Sequence, residues 1–225
     1  MSAQRPDGVL LDLDGTLVDT TYLHAVAWTR ALREAGHVVR TAAVHRAVGM
    51  TGDALIPHVV GSHDERGDAA VKARYAELYH AARDQVVAFR GAKELLARVH
   101  AQGSRVVIVT SATEDDLGPL LEVLDAGDLV DVVTDSSDAE RSKPSPDPVE
   151  AALAKAGLEP GRVVFVGDSV WDVESSGRLG VPCVGLECGG TSSEELLAAG
   201  AVETWRDPQS LLDSFDRSAL AGRSG

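Results

Sequence analysis

Asp12 and Asp14 stand two residues apart where the apolar run Val9 to Leu13 gives way to the turn-rich Asp14-Gly15-Thr16. Along an extended strand both carboxylates point to one side and Leu13 to the other. Carboxylates that close repel one another, so either a cation sits nearby or one pKa is raised; the plainer alternative is an Asx-type turn. Thr110-Ser111 follows the run Val106–Val109, where hydroxyls either bind a ligand or cap the next helix. Lys143 lies in Arg141-Ser142-Lys143-Pro144-Ser145-Pro146-Asp147, a loop stiffened by proline. Gly167-Asp168-Ser169, with Asp172 beyond it, follows Arg162–Val166, where Asp168 could also serve as a helix N-cap and Asp172 as a first-turn acid. Taken together, an acid pair, a hydroxyl, a lysine and a second acid pair supply what phosphoryl transfer needs. Those parts are a nucleophile, an acid/base, a metal site and a cationic anchor.

These groups need strands to hold them in register. Val9–Leu13, Arg105–Thr110, Leu129–Thr134, Arg162–Gly167 and Val181–Leu186 read as short apolar strands. Between them Gly91–Gln102, Glu114–Leu124, Pro146–Ala156 and Val170–Leu179 read as helices. Near-continuous Val/Ile runs separated by helices predict an α/β fold with a Rossmann-like, doubly wound parallel sheet. Ligands of such sheets bind at the carboxyl ends of the strands, where all four motifs fall. From Thr20 to Ala88 no strand is evident, only helical patterns such as Tyr22–Ala35 and Asp68–Gln85. The sequence therefore divides into a core of residues 1–19 and 89–225 and an all-helical cap of residues 20–88, joined by linkers at 18–21 and 87–91. The ends, up to Asp7 and from about Ser214, are small and polar and expected to fray.

The chain has 225 residues, 44% hydrophobic and 25% charged, with a net charge of -14. Such acidity repels phosphate backbones and disfavours nucleic-acid binding, and 4% aromatics give no stacking platform for single strands. No apolar run approaches the ~20 residues of a membrane span. No apolar stretch precedes the first charges either, so a secretory leader is not expected and the cytoplasm is. Cys183 and Cys188 form neither a disulfide framework nor a zinc site and are expected to be reduced thiols without a role.

The motifs LLDLDGTLVDT (10–20), VVIVTSA (106–112), RSKPSPDP (141–148) and VVFVGDSVWD (163–172) together resemble the haloacid dehalogenase superfamily. The likeness is to its phosphohydrolase branch with a helical cap, the phosphoglycolate phosphatase and β-phosphoglucomutase type. That resemblance implies Asp12 as nucleophile, forming an aspartyl-phosphate, and Asp14 as general acid and then base. It implies Mg2+ held by the Asp12 carboxylate, the Asp14 backbone carbonyl and Asp168, with Asp172 a ligand or just behind. Thr110, the Ser111 amide and Lys143 would grip the phosphoryl oxygens, and Gly15 and Thr16 would let the chain turn beside the phosphate. The partner implied is a small phosphate ester, with no nucleic acid and no membrane.

Within the family, a metal-free dehalogenase would leave Asp14, Asp168 and Asp172 without purpose. A Schiff-base phosphonatase needs a small residue in place of Asp14 and a cap lysine that the segment from Thr20 to Asp68 lacks. Asp19-Thr20, His24 and Trp28 resemble the start of the β-phosphoglucomutase cap, helix packing being the other reading for His24 and Trp28. The mutases bind a second phosphate with a loop arginine and a later lysine; Gly52 and Leu78 align there. A hydrolase of a phosphoglycolate-like or sugar-phosphate-like monoester is therefore expected, with mutase or a non-catalytic binding protein as alternatives. The loop Gly49-Met50-Thr51-Gly52 would face the leaving group, and Arg46, His58, Lys72 and Arg74 are the cap's cationic or polar candidates, with solvated surface as the alternative for each.

Overall fold

The computed structural model describes residues 5–222. Six parallel strands run in the order β3-β2-β1-β4-β5-β6: β1 (Gly8–Leu11), β2 (Arg105–Val109), β3 (Val132–Thr134), β4 (Val163–Gly167), β5 (Cys183–Leu186) and β6 (Glu203–Trp205). Around them lie α1 (Thr21–Glu34), α2 (Thr41–Ala47), α3 (Gly52–Val60), α4 (Glu65–His80) and α5 (Ala92–Ala101). They are followed by α6 (Glu114–Leu124), α7 (Asp147–Ala156), α8 (Val170–Gly177), α9 (Ser193–Ala199) and α10 (Pro208–Asp213).

Alternation along the strands builds two cores. Val9, Leu11, Val106, Ile108, Val164 and Val166 point into one cluster. Leu10, Val107, Val109, Val163 and Phe165 point into the other. That is why these strands read as unbroken apolar runs: each is buried on both faces. β1 pairs with β2 on one side and β4 on the other, Leu11 opposite Ile108 and Val166. Chain order reverses at β1, which opens a crevice beyond its carboxyl end.

Helices α1–α4 follow β1 and have a separate apolar cluster of Trp28, Leu32, Val44, Leu55, Ile56 and Val71 among others. The chain leaves and rejoins the sheet along two adjacent segments. Asp19 N–H donates to the Val87 carbonyl at 2.8 Å and Phe89 N–H to that of Leu17 at 2.9 Å. No helix among the described residues is long and apolar enough to cross a membrane.

Three expectations change. β3 begins at Val132 rather than Leu129, because Gly127–Leu129 forms a 3-10 turn. β6 was not expected: its three residues are half-buried and include Glu203, so no apolar run marks it. The segment after Ser214 is ordered rather than frayed. Phe215 and Leu220 are buried in the larger core, Arg98 lies over the Phe215 ring at 4.4 Å, and Gln102 Nε2 donates to the Leu220 carbonyl at 2.9 Å. Near the other end Asp7 N–H donates to the Arg162 carbonyl at 2.7 Å. The expectation for residues 1–4 and 223–225 lies outside the described residues. Leu220→Ala should cost about 2–4 kcal/mol, as for other fully buried leucines; urea unfolding measures it, and an unchanged curve would put Leu220 outside the core.

Candidate active site

Asp12 and Asp168 each follow the last residue of a strand, β1 and β4. These strands are neighbours in register, and Asp12 N–H donates to the Val166 carbonyl at 2.9 Å, so the two carboxylates are brought together by the sheet itself. Asp172 joins them from the first turn of α8. Oxygens of Asp12, Asp168 and Asp172 lie within 4.8 Å of one another, and all three residues are buried. The N-cap of α8 is Ser169 rather than Asp168. Its hydroxyl and amide donate to Asp172 Oδ2 at 2.6 and 3.1 Å.

Lys143 inserts into this cluster and is only 1% exposed. Its Nζ donates to Asp12 Oδ1 at 2.6 Å and to the Val109 carbonyl at 3.2 Å. It also lies 2.7 Å from Asp172 Oδ1, an ion pair between two buried side chains. Burial favours a neutral lysine, but Asp12 and Asp172 outweigh it and hold the ammonium charged. The balance for the acids goes the other way. Burial pushes Asp12 up to about 7, with Asp172 and Asp14 adding to the rise and Lys143 opposing it. Burial, Asp12 and Asp172 push Asp168 well above the ordinary carboxylate range, although Thr16 Oγ1 donates to it at 2.9 Å. One ammonium is too little charge for three buried carboxylates.

Asp14 faces away from this cluster. Its Oδ1 accepts from Thr20 Oγ1 at 2.7 Å and lies 3.0 Å from His24 Nε2, while Oδ2 accepts from Thr110 Oγ1 at 3.3 Å. Burial works against its charge, but the bonds from His24, Thr20 and Thr110 prevail and hold its carboxyl below the usual range. His24 Nδ1 lies 2.7 Å from the Tyr75 hydroxyl, and its ring stacks on Tyr79 at 4.2 Å. Two neighbouring carboxyl groups thus sit in opposed electrostatic environments.

Both aspartates line a cavity of about 370 Å3 between the strand ends and helices α1–α4. Thr110 and Ser111 lie on its wall, as do Gly49, Met50, Thr51 and Gly52 opposite. The Ser111 hydroxyl donates to the Gly49 carbonyl at 2.9 Å, tying the two sides together. Gly15 and Thr16 do not reach the cavity among the described residues; they pack against Asp168. Gly15 has φ +79°, and a Cβ there would strike Thr21 Oγ1 and Asp168, so only glycine permits this turn. Cys188 donates to the Gly15 carbonyl at 3.1 Å, and burial pushes the Cys183 and Cys188 thiols upward, which suits unreactive side chains.

The four cap candidates separate. Arg46 pairs with Glu195 and Arg74 with Glu34 and Glu77, while His58 sits edge-on to Trp171. Lys72 alone among them reaches the cavity. Motif reading missed Tyr75, Tyr79 and the direct contact of Thr20 and His24 with Asp14. Thr20 and His24 are four apart and share a helix face aimed back at Asp14, which is the signal that could have found them. Tyr75 and Tyr79 come from α4 and carry no local signal.

Comparison with known proteins agrees with this geometry. A family model described as haloacid dehalogenase-like hydrolase matches residues 9–186. A phosphoglycolate phosphatase from Rhodospirillum rubrum is 35% identical over 219 residues, which cover 92% of this chain and 90% of the relative. A hydrolase from Pseudomonas syringae superposes with TM-score 0.89 at 29% identity, over 93% of this chain and 98% of the other. A β-phosphoglucomutase from Clostridium difficile shares the fold, with TM-score 0.81 at 16% identity over 96% and 97% of the two chains. With its strand-end aspartates, lysine and threonine in the matched region, the chain belongs to the haloacid dehalogenase-like hydrolases.

Proposed function

We propose that the protein is a magnesium-dependent phosphatase of small phosphate monoesters, with residues 1–19 and 89–225 as catalytic core and residues 20–88 as cap. The observation that carries this reading is the separation of Asp12, held by Lys143 beside Asp168 and Asp172, from Asp14, held by Thr20, His24 and Thr110 on the same cavity. Phosphoglycolate is the first substrate to test, given the relatives' names.

An Asp12 oxygen attacks phosphorus as the ester P–O bond breaks, and Asp14 delivers its proton to the departing alcohol. Asp14 then takes a proton from water, whose oxygen attacks the same phosphorus and releases phosphate and Asp12. Held ionised in the free protein, Asp14 gains its proton as a phosphate dianion arrives beside it. Thr110, the Ser111 amide and Lys143 fix the phosphoryl oxygens, and Lys143 keeps the Asp12 carboxylate aimed by its bond to Oδ1.

The acid trio fits a hard divalent cation. Its donors are all carboxylate oxygens within 4.8 Å of one another, and one ammonium leaves their charge uncompensated. Asp12, the Asp14 carbonyl oxygen and Asp168 would hold magnesium, with Asp172 beside them. Bound there, magnesium supplies positive charge that lets an anionic phosphate approach these carboxylates.

Phosphate release from a panel of small monoesters, including phosphoglycolate and sugar phosphates, tests the reading. Asp12→Asn should abolish release and Asp14→Asn lower kcat about a thousandfold; turnover retained in Asp12→Asn would overturn the nucleophile, and isomerisation of a sugar phosphate without net release would indicate a mutase. Magnesium should raise the melting temperature of the wild type by a few degrees and leave Asp168→Asn unmoved. Without metal, Asp168→Asn should melt no lower than wild type, because it relieves repulsion while Thr16 keeps its acceptor; equal magnesium shifts in both proteins would remove Asp168 from the metal site.

A further inference from the structure

The cavity wall across from the strand ends is uneven in charge. Lys72, on α4, is the one lysine or arginine that helices α1–α4 and their loops place on it among the described residues. On the core side Arg141 reaches the same cavity, but Asp147 holds it through two bonds of 3.0 Å. Asp135 and Glu140 line that side as well. Asp53 lines the cap side beside Lys72, so what sets Lys72 apart from Arg141 is a pair made by one bond between exposed side chains rather than by two bonds to a well-buried acid.

Lys72 is held but not consumed. Its Nζ donates to Asp53 Oδ1 at 2.6 Å, and the two side chains are 40% and 78% exposed. Pairs this exposed contribute little, so exchanging or sharing the partner costs little. The stem is more firmly set. A Cβ at Gly52 would lie 2.9 Å from Trp28 Cη2 and 3.0 Å from Lys72 Cδ. The missing side chain at Gly52 is what admits both the lysine and the Trp28 edge to the loop. Trp28 is in turn fixed by a 3.8 Å stack on Tyr75. Gly52, Trp28 and Asp53 thus act together to present one ammonium to the cavity that Asp12 and Asp14 line.

We infer that Lys72 is the specificity-determining contact for a carboxylate on the leaving group, the feature by which phosphoglycolate differs from an uncharged alkyl monoester. This rests on the phosphoryl site proposed above. The single cation, already shared with Asp53, matches a monoanionic carboxylate; a second phosphate dianion calls for more positive charge than this wall supplies.

Binding of non-hydrolysable phosphonates, measured by calorimetry with magnesium present, tests the inference without turnover. The probes are phosphonoacetate, 3-phosphonopropionate and 4-phosphonobutyrate, each beside the alkylphosphonate of equal length, together with an alkylene bisphosphonate. Wild type should bind one phosphonocarboxylate at least about tenfold tighter than its alkyl partner, the scale of one charge-assisted hydrogen bond. Lys72→Met should erase that preference and leave alkylphosphonate affinity unchanged, while Asp53→Asn should strengthen it, an opposite sign that misfolding cannot mimic. Equal binding of both series by wild type, binding of neither, or a preference surviving in Lys72→Met would overturn the inference. A bisphosphonate bound tighter than every phosphonocarboxylate would overturn the carboxylate assignment. Phosphate release from a neutral monoester, run in parallel, keeps the two readings apart. Release without carboxylate preference leaves the phosphatase standing and removes the Lys72 site, and preference without release does the reverse.

Discussion

The ammonium of Lys143 among three buried carboxylates is the constraint around which the rest is arranged. An isolated charge so deep in protein would give up its proton or unfold its surroundings, and a pair survives there only with every partner in place. The four partners come from three parts of the chain. Asp12 and Asp168 extend adjacent strands, Asp172 is locked by the Ser169 capping box, and Lys143 arrives on the loop after β3. Removing Lys143 leaves the carboxylates uncompensated, whereas removing one acid relieves repulsion among them, so the lysine is the member this cluster cannot lose.

Reactivity follows from asymmetry between two aspartates separated by a single leucine. Leu13 is fully buried and anchors the turn. On one side Asp12 is raised toward neutrality by burial and by other acids; on the other, the hydroxyls of Thr20 and Thr110 and the imidazole of His24 keep Asp14 ionised. Because Thr20 caps α1 and His24 lies in its first turn, the proton affinity of Asp14 depends on how α1 is seated. Several bonds seat the cap on the core. Arg46 pairs with Glu195, Trp171 Nε1 donates to the Arg46 carbonyl at 2.8 Å, His80 pairs with Asp116 at 3.0 Å, and Ser111 binds Gly49. Most of these are exposed polar contacts, individually weak.

Much of this was legible in the sequence, for a physical reason. Strands buried on both faces must be apolar throughout, so β1, β2, β4 and β5 announce themselves, and groups at their ends are local in sequence. β6 escaped because its three half-buried residues form no apolar run, and the stretch around Phe215 and Leu220 because its burial is decided by distant neighbours, Arg98 and Gln102, rather than by composition. The same holds for the site. Asp12, Asp14, Lys143 and Asp168 sit in recognisable motifs, whereas the contacts of Tyr75 with His24 and of Lys72 with Gly52 join helices whose relative placement no local pattern encodes.

The central claim is that Asp12 takes the phosphoryl group and Asp14 activates the water that removes it. Mass spectrometry of Asp14→Asn after reaction with acetyl phosphate, whose leaving group needs no general acid, tests this most directly. The account predicts one hydroxylamine-labile phosphoryl group accumulating on the peptide that contains Asp12, since its hydrolysis has lost the base. A protein that stays unmodified while acetyl phosphate is turned over, or a phosphoryl group on any other residue, would contradict it.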